Sequence, residues 1–317
     1  MKKNKFIALL VSLLLIVGLF AACSSGESDE AAATPDATEK AKVYLITMDQ
    51  MDQHWQNVNK GAEEVAAANS DLIEYKWSAP DKKDDAQQID KVNNAVADGA
   101  KVILLAANGP DAISSALEEA AAKGVKIVYV DSPANFPSEA TFATDNKAAG
   151  KTAGEQMLAE LTAQGVTSGD IGIINVKPDT TSCVLREEGF RSAFEGSGFN
   201  ILTTQFCEGD AAKSQDAAAN FISQGCVAIF GTNEGGTVGV GNAIKSAGKA
   251  VVGVGFDKSD TILGLIKDGA LLCTMAQNPD QMGIQGMEAA LTLLNGGSIS
   301  TKNVDTGVSV ITKADVQ

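Results

Sequence analysis

The chain has 317 residues, 44% of them hydrophobic, with 31 Gly and only 7 Pro, a composition that can bury a large core and excludes intrinsic disorder and collagen-like classes. Its 25 Lys and Arg stand against 40 Asp and Glu, a formal charge of -15, and such a polyanion repels phosphates, which excludes a nucleic-acid partner. A single His excludes HExxH and poly-His metal sites and leaves any Ser-His-Asp triad one candidate base, so neither a metal nor a catalytic residue is expected.

The chain opens with MKKNK at residues 1–5 and the uncharged run FIALLVSLLLIVGLFAA at 6–22, a basic head followed by an apolar segment ending in small residues. This pattern is a secretory signal. The context Leu19-Phe20-Ala21-Ala22-Cys23 resembles a bacterial lipobox, with Phe20 where Leu is usual, so residues 1–22 are expected to be a lipoprotein signal peptide and Cys23 the lipidated residue. The other reading is an uncleaved anchor helix, and either places the body outside the cytoplasm. Removing residues 1–22 takes away Lys2, Lys3 and Lys5 and no acid, leaving 22 bases against 40 acids. An anionic bilayer would not hold that chain electrostatically, and a diacylglycerol on Cys23 would be the tether. Residues 23–41, rich in Ser, Ala, Asp and Glu, cannot bury enough surface to fold and form a flexible linker.

Short β-rich runs follow at 43–48, 72–77, 101–106 and 126–130, and the rhythm repeats at 171–176, 199–206, 226–231 and 250–255. Runs with little polar alternation suit strands covered on both faces. Helical patterns lie between them at 55–68, 84–97 and 111–123, the last opened by Pro110 and closed by Gly124, and a helix is expected over 184–195. Strand, helix, strand at roughly 25 to 30 residues is the right-handed βαβ unit. Two such series, separated by the helical stretch 146–164, give the expected fold class: α/β, two doubly wound parallel-sheet lobes with a ligand cleft between them. Cys183, Cys207, Cys226 and Cys273 contain no CxxC pair and are too sparse for a disulfide scaffold, so they read as buried thiols.

In open parallel sheets ligands bind beyond the carboxyl ends of the strands. The residues there include Asp52, His54 and Trp55, then Asn108, Asp131 and Ser132, and in the second half Asn233, Glu234 and Asp257, with Arg186 before a helix and Gln277 late in the chain. Carboxylate acceptors (Asp52, Asp131, Asp257), fork or amide donors (Arg186, Asn233, Gln277) and a flat indole (Trp55) make an inventory for polyols, because each hydroxyl both donates and accepts. Phosphate chemistry is not supported. The run Gly231 to Thr237 lacks the Lys of a phosphate loop, no complete GxGxxG occurs, and no GxSxG elbow exists.

Each candidate also has an ordinary structural role open to it. Asp131 and Asp257 can be caps, Trp55 can staple a helix to the core, His54 can be a surface or internally satisfied side chain, Arg186 can pair with Glu187 or Glu188, and Asn233 and Gln277 can bond their own loops. Asp49 and Glu234 read as solvated or capping residues.

From residue 43 onward the chain resembles the ribose-type periplasmic sugar-binding proteins, the substrate-binding components of sugar ABC transporters. The pieces that carry the likeness are Ala143 to Asn146, Leu185 to Phe190, Phe230 to Asn233, Val254 to Asp257 and Met275 to Gly283. The resemblance implies sugar contact at Asp131, Arg186, Asn233, Asp257 and Gln277, with the loop from Asp52 to Trp55 supplying a polar contact and ring stacking. The chain departs from the ribose binders where His54-Trp55 replaces a Phe pair, Ser132 an Arg and Gly209 a Phe, changes expected to enlarge one side of the pocket. Three crossovers near Asp145, Gln277 and Asp305 are implied as a hinge, with residues 43–144 plus 278–305 in one lobe and 145–277 plus 306–317 in the other. The implied protein is a monomeric lipoprotein that captures a monosaccharide or polyol for a membrane permease, needs no cofactor and is not an enzyme. A sensor presenting its ligand to a receptor and an extracellular sugar-modifying enzyme using Asp52 and Asp257 are the rival readings. A sugar-responsive transcription regulator would need a helix-turn-helix where the signal segment stands.

Overall fold

The computed structural model describes residues 39–316, and the expected signal peptide, Cys23 and the linker as far as residue 38 lie outside the described residues. The first half of the chain alternates β1 (Ala41–Ile46), α1 (Gln53–Ala68), β2 (Ile73–Ser78), α2 (Asp85–Ala97), β3 (Ala100–Leu105), α3 (Ser114–Ala122), β4 (Lys126–Val130) and β5 (Ala140–Ala143). It continues with α4 (Asn146–Ala163), β6 (Gly169–Asn175), α5 (Thr181–Ala193), β7 (Phe199–Ile201), β8 (Gln205–Phe206), α6 (Ala211–Gln224), β9 (Ala228–Gly231), α7 (Glu234–Ala247), β10 (Val252–Phe256), α8 (Asp260–Lys267) and β11 (Cys273–Gln277). Last come α9 (Pro279–Leu294), β12 (Asn303–Asp305) and β13 (Val308–Thr312).

The strands form two sheets, ordered β12-β5-β4-β3-β1-β2 and β13-β11-β10-β9-β6-β7, with β8 also on β6. All pairings are parallel except that of β11 with the edge strand β13. Each sheet carries an apolar cluster on both faces, which is why its strands are continuous apolar runs without alternation. The chain passes from one sheet to the other after β5, after β11 and after β12.

Local departures from the sequence expectation have physical causes. The third helix begins at Ser114 rather than Asp111, because the Ser114 hydroxyl takes the Pro110 carbonyl that a helical amide would have used. The run 199–206 divides into β7 and β8 at Leu202 to Thr204. The helix expected over 184–195 is α5, which starts three residues earlier, at Thr181, and Arg186, taken as lying before it, sits in its interior.

The two lobes also share a helix-packing device. In the first, a Cβ on Gly283 of α9 would lie 2.0 Å from the Val58 carbonyl oxygen of α1, and one on Gly61 would lie 2.2 Å from that of Asp280. In the second, a Cβ on Gly189 of α5 would lie 2.0 Å from the Lys147 oxygen of α4, and one on Gly150 would lie 2.0 Å from that of Arg186. Backbone touches backbone at both crossings, and α5, which carries Arg186, is fixed by its pair. Gly189→Ala and Gly283→Ala are therefore expected to destabilise the protein by about 1–3 kcal/mol each in denaturant titration, by overpacking. Gly264→Ala on α8, where a Cβ meets nothing within 4 Å, is expected to leave stability unchanged or slightly raised.

Candidate functional site

Asp131 and Asp257 occupy equivalent places in the two lobes. Asp131 follows β4 and donates its amide to Phe142 of β5, and Asp257 follows β10 and donates its amide to Met275 of β11. Both have left-handed backbones, with φ of 70° and 74°, a conformation that is costly for a residue with a Cβ. Neither side chain caps a helix; Ser259, not Asp257, caps α8. The strain instead turns two carboxylates into one narrow space between the lobes.

That space is a buried cavity of about 20 Å3, lined by all eight candidates, Asp52, His54, Trp55, Asp131, Arg186, Asn233, Asp257 and Gln277, together with Met48, Lys83, Val176, Ser182 and Cys183. His54, far from a surface position, is buried between the carboxylates, with Nε2 3.0 Å from Asp131 and Nδ1 3.5 Å from Asp257. Burial opposes the charged imidazole, but Asp257 and Asp131 outweigh it and raise the His54 pKa above its ordinary value. Burial likewise pushes Asp131 up, and His54 and Arg186 overcome it and hold the carboxyl below the usual range. Asp257 also accepts from Gln277 Nε2 at 2.5 Å, and Gln277 Oε1 accepts from Thr144 at 2.8 Å.

Arg186 does not pair with Glu187 or Glu188. Those residues turn to Arg191 and Lys147, while the guanidinium enters the cleft. Its Nε donates to Asn146 at 2.7 Å, its Nη1 donates to the Thr232 carbonyl at 2.9 Å, and its plane lies 4.3 Å from the Phe256 ring centre. Nη2 is buried without a protein partner, 3.9 Å from Asp131. Asn233 does cap α7, its Oδ1 accepting from the Gly236 amide, but its Nδ2 is buried and unpartnered. Trp55 belongs to the core of the first lobe and meets His54 edge-on, and its Nε1 too has no partner. Three unpaired donors thus belong to residues lining one cavity from both lobes.

Two acids read as solvated or capping residues have other surroundings. Asp49 is buried; it accepts from the amides of Met51 and Asp52 and pairs with Lys83, which also bonds Asp52 at 2.7 Å. Glu234 is buried and accepts the His54 amide from the opposite lobe at 3.0 Å. The pocket is not enlarged beside Gly209 as expected, because Lys83 reaches within 2.9 Å of where a Cβ of that residue would stand. Lys83, in the run Asp81-Lys82-Lys83-Asp84-Asp85, carries no sequence signal of burial. Ser182 and Cys183 could have been found, being four and three residues before Arg186 on the same helical face. All four body cysteines are buried and unpaired.

The cavity can do little proton chemistry. Asp52 is tied to Lys83, and Asp257 to Gln277 and His54, so these carboxylates do not stand as an acid and base pair. Among the described residues no cluster of His, Cys, Asp and Glu could hold a metal ion, and no helix is long and apolar enough to cross a membrane.

The profile of the periplasmic binding protein domain matches residues 43–298. The ribose import binding protein of Haemophilus influenzae is 30% identical over 243 residues, covering 75% of this chain and 81% of that protein. An ABC transporter solute-binding protein from Agrobacterium vitis, solved with bound D-fucose, is 30% identical with a TM-score of 0.82, covering 87% of this chain and 97% of its own. A carbohydrate transporter solute-binding protein from Agrobacterium radiobacter, in complex with D-arabinose, is 27% identical with a TM-score of 0.83, covering 88% and 97%. These relatives are transport proteins that bind sugars, not enzymes. With two parallel-sheet lobes, a polar cleft and this likeness along almost the whole described chain, the protein belongs to the periplasmic binding protein family, among its ribose-type sugar-binding members.

Proposed function

We propose that this chain is an extracytoplasmic lipoprotein that captures a monosaccharide or related polyol between its lobes and delivers it to the permease of a sugar ABC transporter. The observation that carries this reading is the set of unpaired buried donors, Trp55 Nε1, Arg186 Nη2 and Asn233 Nδ2, beside the carboxylates of Asp131 and Asp257. Buried donors without partners are costly, and a ligand whose hydroxyls accept from them and donate to the carboxylates removes that cost. The relatives' fucose, arabinose and ribose are ligands of this class.

A cavity of about 20 Å3 holds roughly one water, and a monosaccharide needs several times that. Binding therefore requires the lobes to part and His54 to yield its place between the carboxylates. We take residues 43–144 plus 278–305 and 145–277 plus 306–317 as the moving bodies, hinged at the three crossovers, with closure on sugar the signal the permease reads. The reading includes lipid on Cys23 as the tether, since a body with excess negative charge gains nothing from an anionic membrane.

A thermal-shift panel of pentoses, hexoses and polyols is expected to pick out one group of sugars, with about 2.7 kcal/mol of stabilisation at 100 times the dissociation constant. No shift with any of them would refute the sugar reading. Trp55→Phe removes a donor that nothing in the protein uses, along with part of a core ring, so it should lower the melting temperature somewhat and weaken sugar binding in calorimetry about 2- to 12-fold. Arg186→Ala should weaken it about 5- to 150-fold. For the tether, Cys23→Ala is expected to move the protein from the membrane to the soluble fraction and to abolish labelling by a fatty-acid analogue; unchanged labelling would rule the anchor out.

A further inference from the structure

Several bonds cross between the lobes outside the cavity. Lys177 pairs with Asp85 at 2.5 Å, and the Thr180 hydroxyl donates to the Asn108 carbonyl at 2.9 Å. The most unusual crossing lies at the amino end of α1. The first amides of a helix have no partner inside it and are ordinarily capped by the preceding side chain. Asp52 stands at that position, but its carboxylate is committed to Lys83 and makes no cap. The partner comes from the other lobe: Glu234, the first residue of α7, accepts the His54 amide at 3.0 Å. In turn, the Gln53 side chain accepts the Asp260 amide, the first of α8, at 3.1 Å. The start of α1 is thus capped by α7 of the other lobe and itself serves the start of α8.

We propose that Glu234 is an interlobe latch: it caps α1 across the cleft only when the lobes are shut, so it holds the closed conformation and sets ligand affinity without touching the ligand. Glu234 does not line the cavity, which makes it a positioning residue distinct from the sugar contacts. Its effect on affinity rests on the sugar reading given above, whereas the latch itself exists or not regardless of the ligand. A carboxyl group suits the task, because its oxygen accepts the amide whether or not the group is protonated.

The latch also couples closure to protons. Glu234 faces Asp52 and His54 from the first lobe and Asp257 from its own, with Lys83 beside Asp52. Burial, then the charges of Asp52 and Asp257, push its pKa up to about 7. Opening exposes it to water and returns it toward the ordinary carboxylate range, so the closed form binds more protons. A group with a raised pKa in the closed form favours closure at low pH, and that gain is lost as pH rises through 7. His54, raised by Asp257 and Asp131 against burial, moves the same way.

The test is amide hydrogen exchange on the full, ligand-free chain, followed by sugar titration at pH 6 and pH 8. Glu234→Ala should speed exchange at His54 by about 2- to 30-fold, leave α2 amides unchanged and weaken sugar binding by a similar factor. Glu234→Gln keeps an acceptor without a proton to gain. It should restore protection and reduce the pH dependence by this group's share, which in the unsubstituted protein is up to about tenfold between pH 6 and pH 8. Wild-type protection in Glu234→Ala, or loosening spread equally over α1 and α2, would overturn the latch. Faster exchange confined to the start of α1 would support it even if no sugar bound, in which case only the sugar reading falls.

Discussion

A charge taken out of water must find a partner, and the cleft of this protein is organised by that requirement. His54, Asp131, Asp257, Arg186 and Asp49 are buried in the cleft, Lys83 is nearly so, and Asp52 is partly so. Each has a partner, and several partners lie on the opposite lobe. The pKa shifts follow: His54 rises because of Asp257 and Asp131, and Asp131 falls because of His54 and Arg186. Such a network contributes little net stability, since desolvation consumes most of its Coulombic gain. It contributes geometry instead, because a single misplaced member would leave an uncompensated charge in the cleft.

The two sheets supply that geometry by the same construction twice. Asp131 and Asp257 leave equivalent strands with the same left-handed turn and the same amide bond to the next strand. The helix pairs α1 with α9 and α4 with α5 cross at glycine contacts so close that neither can slide. The start of α1 is bonded to those of α7 and α8 across the gap, so the closed form gains bonds that depend only on the protein.

Much of this was legible in the sequence. Apolar runs of strand length at regular spacing gave both sheets in outline, because a parallel sheet covered on both faces has no polar side to show. The strand-end rule, together with the family likeness, brought eight candidates to one cavity, because the ends of parallel strands converge there and α5 carries Arg186 into it. What could not be read were partners distant in sequence. Lys83 sits in a run of charges that looks solvated, and only the tertiary fold brings it to Asp49 and Asp52. Glu234 looked like an ordinary cap of its own helix, whereas it serves a helix 180 residues away. The solvated-pair reading of Arg186 failed because the neighbouring acids had other partners and the Phe256 ring and Thr232 carbonyl offered the guanidinium a better site. The expected widening near Gly209 failed because a long lysine from the other lobe fills the space.

The most direct measurement is a crystal structure of the protein grown with the sugar that stabilises it most. The ring should lie between the lobes, with its oxygens within hydrogen-bond reach of Trp55 Nε1, Arg186 Nη2 and Asn233 Nδ2, its hydroxyls on Asp131 and Asp257, and His54 displaced from between them. A sugar bound on an outer face, or one in the cleft that leaves those three donors unpaired, would contradict the central claim that the unpaired groups of this cleft belong to a hydroxyl-rich ligand.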